Sequence, residues 1–177
     1  PLSALFMYFF LRQLTIPLLS LTGAILYVYT PYRSTDIYVR GAIGEALAFV
    51  FFPVLSLAVL KLCQSTFLNL RWISIGSLAL ASLVLSHNIA AYMFLPFLLV
   101  LGFVGILLIS KNWLISLVNI TLTIVFGLLI SSYFWLPALT DSGLISYNTI
   151  FNVVDHFPTI RQLVTPYWGY GASVPGP

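Results

Sequence analysis

The residues of this chain best equipped for chemistry lie between Tyr29 and Glu45, where Arg33, Asp36, Arg40 and Glu45 stand among Tyr29, Tyr32 and Tyr38. Guanidinium groups grip phosphate through paired N–H donors, so two arginines at a membrane surface suit the head of a lipid-linked phosphate or pyrophosphate. Pro31 should stop the preceding apolar helix, Ser34 or Thr35 can cap a new one, and Asp36 would then sit in its first turn, where a negative charge complements the helix dipole. If that helix runs on into the next apolar segment, Arg33, Asp36 and Arg40 share one stripe at spacings of three and four. Glu45 lies where the chain re-enters the apolar layer. Desolvation there raises a carboxyl pKa, and the position suits a base, a metal ligand or the buried partner of an arginine. The same side chains also have a structural use, because Arg33 and Arg40 can pair with Asp36 and Glu45 or reach lipid headgroups.

Other candidate groups fall on the same side of the apolar segments. His87 and Asn88 follow one such segment, and a histidine at a helix end serves as a cap or interface residue as readily as a ligand. Asp141, Asp155, His156 and Arg161 come after the last segment, followed by Tyr167, Trp168 and Tyr170, which can stack on a sugar ring or pack the extramembrane segment. No other His or Cys stands at ligand spacing from the adjacent Asp155 and His156, which argues against a zinc site, and no divalent-metal site can be read. Gly169 and Gly171 lack the strand and helix of a dinucleotide fingerprint.

Positioning these groups requires membrane helices. Hydrophobic residues make up 60% of the chain and charged ones 6%, with a mean hydropathy of +1.06, against roughly 25% charged in soluble domains. The expected fold is all-α, a polytopic helical bundle of five full spans, Leu14 to Tyr29, Ala42 to Leu62, Leu70 to Ser86, Ala90 to Ile109 and Leu114 to Leu136. Leu2 to Leu11 is a partial sixth at the N-terminus, and a start at Pro1 inside an apolar run reads as a fragment of a longer protein. Residues 1–137 then form the membrane region and 138–177 an outer segment.

Arg12, Lys61, Arg71 and Lys111 occupy acid-free breaks, which the positive-inside rule assigns to the cytoplasm, so loop 31–45 and segment 138–177 face outward. Cys63 is the only cysteine, which excludes an intrachain disulfide; it lies beside Lys61 and should react with a thiol reagent from the cytoplasmic side wherever it is accessible. Asn119 opens an Asn-Ile-Thr triplet inside a span, where it reads as an interhelical hydrogen-bonder rather than a glycosylation site. The net charge of +3 follows from topology and implies no nucleic-acid partner.

Four stretches carry a resemblance: Tyr27 to Arg33, Tyr38 to Gly41 with Glu45, Ser86-His87-Asn88, and Tyr133 to Pro137 followed by Trp168 to Gly171. In that order they resemble the bacterial membrane proteins labelled "6-pyruvoyl-tetrahydropterin synthase-related", a label that fits no soluble pterin synthase here. Such proteins are similar in organisation to GT-C glycosyltransferases of the bacterial cytoplasmic membrane, which move a sugar from a polyprenyl-phosphate carrier on the extracytoplasmic face. The resemblance implies inverting transfer, with a carboxylate deprotonating the acceptor and a metal or arginines stabilising the departing phosphate. It also implies a catalytic acid in an earlier loop, upstream of Pro1. On that scheme Arg33 and Arg40 take the phosphate, Glu45 or Asp36 is a supporting acid, and Tyr32, Tyr38, His87 and Trp168 line the substrate loop. The rival expectations are a transporter or flippase for a lipid-linked glycan, which would place ionisable groups near the bilayer midplane, and a non-catalytic scaffold.

Overall fold

The computed structural model describes residues 2–141, and every regular element among them is a helix. In order these are α1 (Leu2–Leu11), α2 (Pro17–Val28), α3 (Pro31–Thr35), a π-turn (Asp36–Arg40), α4 (Ile43–Cys63), α5 (Leu70–Ser86), α6 (Asn88–Leu108), α7 (Trp113–Ile130) and α8 (Ser132–Thr140). Hydrocarbon offers no partner to backbone N–H and C=O groups, so so apolar a chain satisfies them within its own helices. The chain divides between Trp135 and Leu136 into two units, and α1 to α7 belong to the first. The sequence-stretch candidates Asp155, His156, Arg161, Tyr167, Trp168 and Tyr170 lie outside the described residues.

Three helices, α4, α6 and α7, are long and apolar enough to cross a membrane. The other expected spans are shorter, with 17 residues in α5 and 12 in α2. At 1.5 Å per residue α2 covers about 18 Å, against a hydrocarbon core of about 30 Å. The expected span from Leu14 is cut at Pro17, which takes the first helical position because a missing N–H costs nothing there. The preceding residues instead turn the chain between α1 and α2, with the Arg12 guanidinium donating to the Thr15 carbonyl at 2.6 Å.

α4 is the central helix, 56% of its span being buried within the bundle, against 22% for α6 and 28% for α7, which turn most of their surface outward. Contacts along α4 show that successive helices alternate in direction. Gly44 at its start meets the Ser86 carbonyl at the end of α5, and Phe52 stacks on Phe94 in the first half of α6 with ring centroids 4.5 Å apart. Cys63 at its end lies against Gly102 and Gly105 late in α6, and its carbonyl accepts from Ser116 Oγ early in α7 at 3.2 Å. Glu45 and His87 therefore share one end of the bundle, while Lys61, Arg71 and Lys111 sit toward the other.

That second end is tied by polar side chains. Asn119 is fully buried on α7; its Nδ2 donates to the Phe67 carbonyl at 3.1 Å and its Oδ1 accepts from the Asn69 N–H at 3.4 Å. It thus bonds across to the segment that opens α5, as its position inside an apolar span predicts. Asn69 in turn caps α5 by accepting from the Trp72 N–H at 3.3 Å.

Cys63 is fully buried, which removes the access its loop-side position suggested. Gly105 explains the close packing, since a Cβ there would stand 2.8 Å from the sulfur. We expect a membrane-impermeant maleimide to leave Cys63 unmodified in both intact and permeabilised membranes, and to label it once the protein is denatured. Rapid labelling of the native protein from either side would contradict this packing.

Candidate functional site

Gly41 decides the geometry of the polar loop. Its φ of 62° lies in the left-handed region that an L side chain disfavours, and it ends the π-turn with its N–H returned to the Asp36 carbonyl. The Ala42 N–H reaches the same carbonyl at 3.1 Å. The helix therefore does not run on into α4, the condition on which one stripe would unite Arg33, Asp36 and Arg40. α3 begins at Pro31 with Thr30 as its N-cap, and Thr35 stands at the N-cap position of the π-turn with Asp36 in its first turn, although the Thr35 side chain makes no capping hydrogen bond. Wide π-turns of this kind recur where a helix must redirect side chains.

The redirection separates the two arginines. Arg33 turns inward and is 8% exposed; its Nη1 donates to Ser3 Oγ at 2.9 Å, and its guanidinium lies 4.8 Å from the centre of the Phe49 ring and 5.4 Å from that of Tyr27. Tyr27 itself donates to the Phe49 carbonyl at 2.8 Å. Arg33 thus fastens α1 and α2 to α4 through a hydrogen bond and two cation–π contacts. Arg40 turns outward with half its side chain exposed, and its Nη1 lies 3.1 Å from Asp36 Oδ1, 3.2 Å from Glu45 Oε2 and 3.1 Å from the Tyr32 hydroxyl. The stripe expected to unite both guanidinium groups unites Arg40 with the acids alone.

Glu45 is the hub of the cluster. Its Oε1 accepts a hydrogen bond from the Tyr32 hydroxyl, and its Oε2 faces both Arg40 and, at 4.0 Å, His87 Nε2. His87 also caps α6, its Nδ1 accepting from the Ala90 N–H at 3.1 Å. An accepting Nδ1 places the ring proton on Nε2, the nitrogen turned toward Glu45. One histidine thereby starts a helix and joins the cluster.

Asp36 is enclosed completely, and only Oδ1 has a partner, Arg40; Oδ2 finds no donor. Burial raises its carboxyl pKa, and the neighbouring Glu45 raises it further, with Arg40 opposing. Burial followed by Glu45 also raises the Tyr32 phenol, and the Tyr32 hydrogen bond and Glu45 charge hold Arg40 firmly protonated. Among the described residues no group of three or more His, Cys, Asp or Glu is placed to hold a metal ion. Arg40 is the cation that this cluster turns outward.

Below the cluster opens a cavity of about 390 Å³, with Tyr32, Glu45 and His87 at its polar rim and Phe52, Met93 and Phe94 on its walls. The arrangement can hold an amphiphile, its anionic head at Arg40 and His87 and its apolar chain along the walls. Of the candidates read from sequence, Tyr32, Asp36, Arg40, Glu45 and His87 come together, Arg33 is diverted into packing, and Tyr38 is 86% exposed on the π-turn. Phe52, Met93 and Phe94 gave no sequence signal, because they sit inside spans where such residues are commonplace. Comparison with protein-family models, curated proteins and solved structures finds no match for this chain.

Proposed function

We propose that this protein is a membrane-embedded glycosyltransferase of the GT-C type that takes a sugar from a lipid-phosphate carrier at the extracytoplasmic face of the bacterial cytoplasmic membrane. The observation that supports this most is a carboxylate and a histidine lining an apolar, aromatic-walled cavity, with the exposed Arg40 3.2 Å from that carboxylate. A polyprenyl phosphate has the matching division into charged head and hydrocarbon tail. In this reading the five apolar segments all cross the bilayer, α2 and α5 being completed by their flanking turns.

The chemistry is inverting transfer. An acceptor hydroxyl oxygen attacks the anomeric carbon, the carbon–oxygen bond to the lipid phosphate breaks with its electron pair leaving on phosphate, and the acceptor proton passes to a carboxylate, for which Glu45 stands at the rim. Arg40 and the Nε2–H of His87 stabilise the charge that develops on the departing phosphate. Arg40 must exchange part of its contact with Glu45 for the phosphate, which frees that carboxylate as the donor arrives.

The test is sugar transfer from a polyprenyl-phosphate donor by the protein reconstituted in vesicles, with donor affinity measured separately. Arg40→Lys keeps the charge but loses the planar fork, so donor affinity should fall by about tenfold or more. Arg33→Lys should instead lower thermal stability with little change in affinity, because Arg33 serves the packing of α1 and α2. Unchanged affinity in Arg40→Lys would remove the phosphate role, and solute flux without transfer would assign the site to a transporter.

A further inference from the structure

The strongest unexplained feature is Asp36, a carboxyl group with no exposed surface and one oxygen without a donor. The groups that face it are few. Arg40 on its own turn reaches Oδ1, Glu45 comes from the start of α4, and Tyr32 from α3 and His87 from the α5–α6 junction complete the ring around Glu45. Arg33, the remaining cation of this segment, is engaged with Ser3 and two aromatic rings. One guanidinium is thus shared between two carboxyl groups, and the second Asp36 oxygen meets no hydrogen-bond donor.

We propose that Asp36 and Glu45 hold one proton between them, with Asp36 as the protonated member donating from Oδ2 toward Glu45, so that Asp36 is a positioning residue and a proton-binding site. A proton on Oδ2 turns the orphaned acceptor into a donor and removes the repulsion between neighbouring carboxylates in an enclosed space. It leaves the single charge of Arg40 balanced by the single charge of Glu45. The burial of Asp36 and the negative Glu45 beside it, which raise its pKa, act in the same sense.

The consequence for ligands follows from charge. With the proton in place, Arg40, Asp36 and Glu45 sum to zero and an anionic headgroup approaches without penalty. When Asp36 ionises, the sum becomes −1, Arg40 is drawn between two carboxylates, and anion affinity falls. Affinity should therefore decline as pH rises through the Asp36 transition. This consequence rests on the lipid-phosphate reading of the site, whereas the shared proton does not.

Infrared spectroscopy of the full chain in phosphatidylcholine vesicles reads the proton directly, through the carbonyl stretch of a protonated carboxylic acid. The wild type should keep this band at pH values above the ordinary carboxylate range, where an exposed aspartate has lost its proton. Asp36→Asn should remove it, and Glu45→Gln should move its disappearance to lower pH by removing the charge that raises Asp36. Farnesyl phosphate binding across the range in which the band disappears supplies the second readout: wild-type affinity should fall with pH more steeply than in Asp36→Asn, which keeps a neutral group at this position. Absence of the band in the wild type, or its persistence in Asp36→Asn, would overturn the proposal. A band that behaves as expected, with no farnesyl phosphate bound at any pH, would retain the shared proton and overturn the lipid-phosphate reading.

Discussion

Glu45→Gln is expected to lower sugar transfer by about a hundredfold to ten-thousandfold, the range lost when a positioned general base is removed. The amide keeps the shape of the side chain and can still accept from Tyr32, so the cavity rim should survive the change. Donor affinity should fall far less than turnover, because the lost group acts on the acceptor proton and not on the donor phosphate. The measurement is kcat beside a separate donor Kd in reconstituted vesicles. Equal losses in both would make Glu45 a holder of Arg40, and unchanged kcat would remove it from the chemistry altogether.

The second large effect is expected at Gly44. A Cβ there would collide with the backbone carbonyl of Ser86, and a carbonyl at the end of a packed helix has no rotamer by which to escape. Gly44→Ala should therefore push the start of α4 away from the end of α5, at a cost of about 1–3 kcal/mol. Ser86 immediately precedes His87, so the same displacement should draw the imidazole away from Glu45 and weaken donor binding along with stability. Gly102→Ala is the matched control, since its Cβ would stand in ordinary contact, 3.4 Å from Ile120 Cδ1. Denaturant unfolding in detergent should show the first variant clearly weakened and the second close to wild type; equal behaviour would refute the close approach of α4 and α5.

Both expectations depend on chain features of different legibility. Hydropathy alone carries the all-helical bundle and the long helices α4, α6 and α7, because an apolar layer permits few other ways to satisfy backbone polar groups. It does not carry helix length near a proline. Leu14 to Tyr29 is apolar throughout, yet Pro17 sets where the helix can begin and leaves α2 with 12 residues. Asn119 was readable as an interhelical hydrogen-bonder because a buried amide in an apolar helix must find partners, but Phe67 and Asn69 as those partners came from packing.

The site divides in the same way. The sequence by itself determined that Arg40, Asp36, Glu45 and His87 would gather at one end of the bundle, since charge collects at the ends of apolar helices and successive helices of alternating direction return it to the same end. It determined nothing about which arginine would face outward. That was decided by the left-handed turn at Gly41 and the π-turn before it, which turn Arg40 toward the acids, and by the rings of Tyr27 and Phe49, which hold Arg33 inside. Only the tertiary structure could enclose Asp36 completely, strand one of its oxygens and set an aromatic cavity beneath Glu45, because each depends on surfaces contributed by helices far apart in the chain.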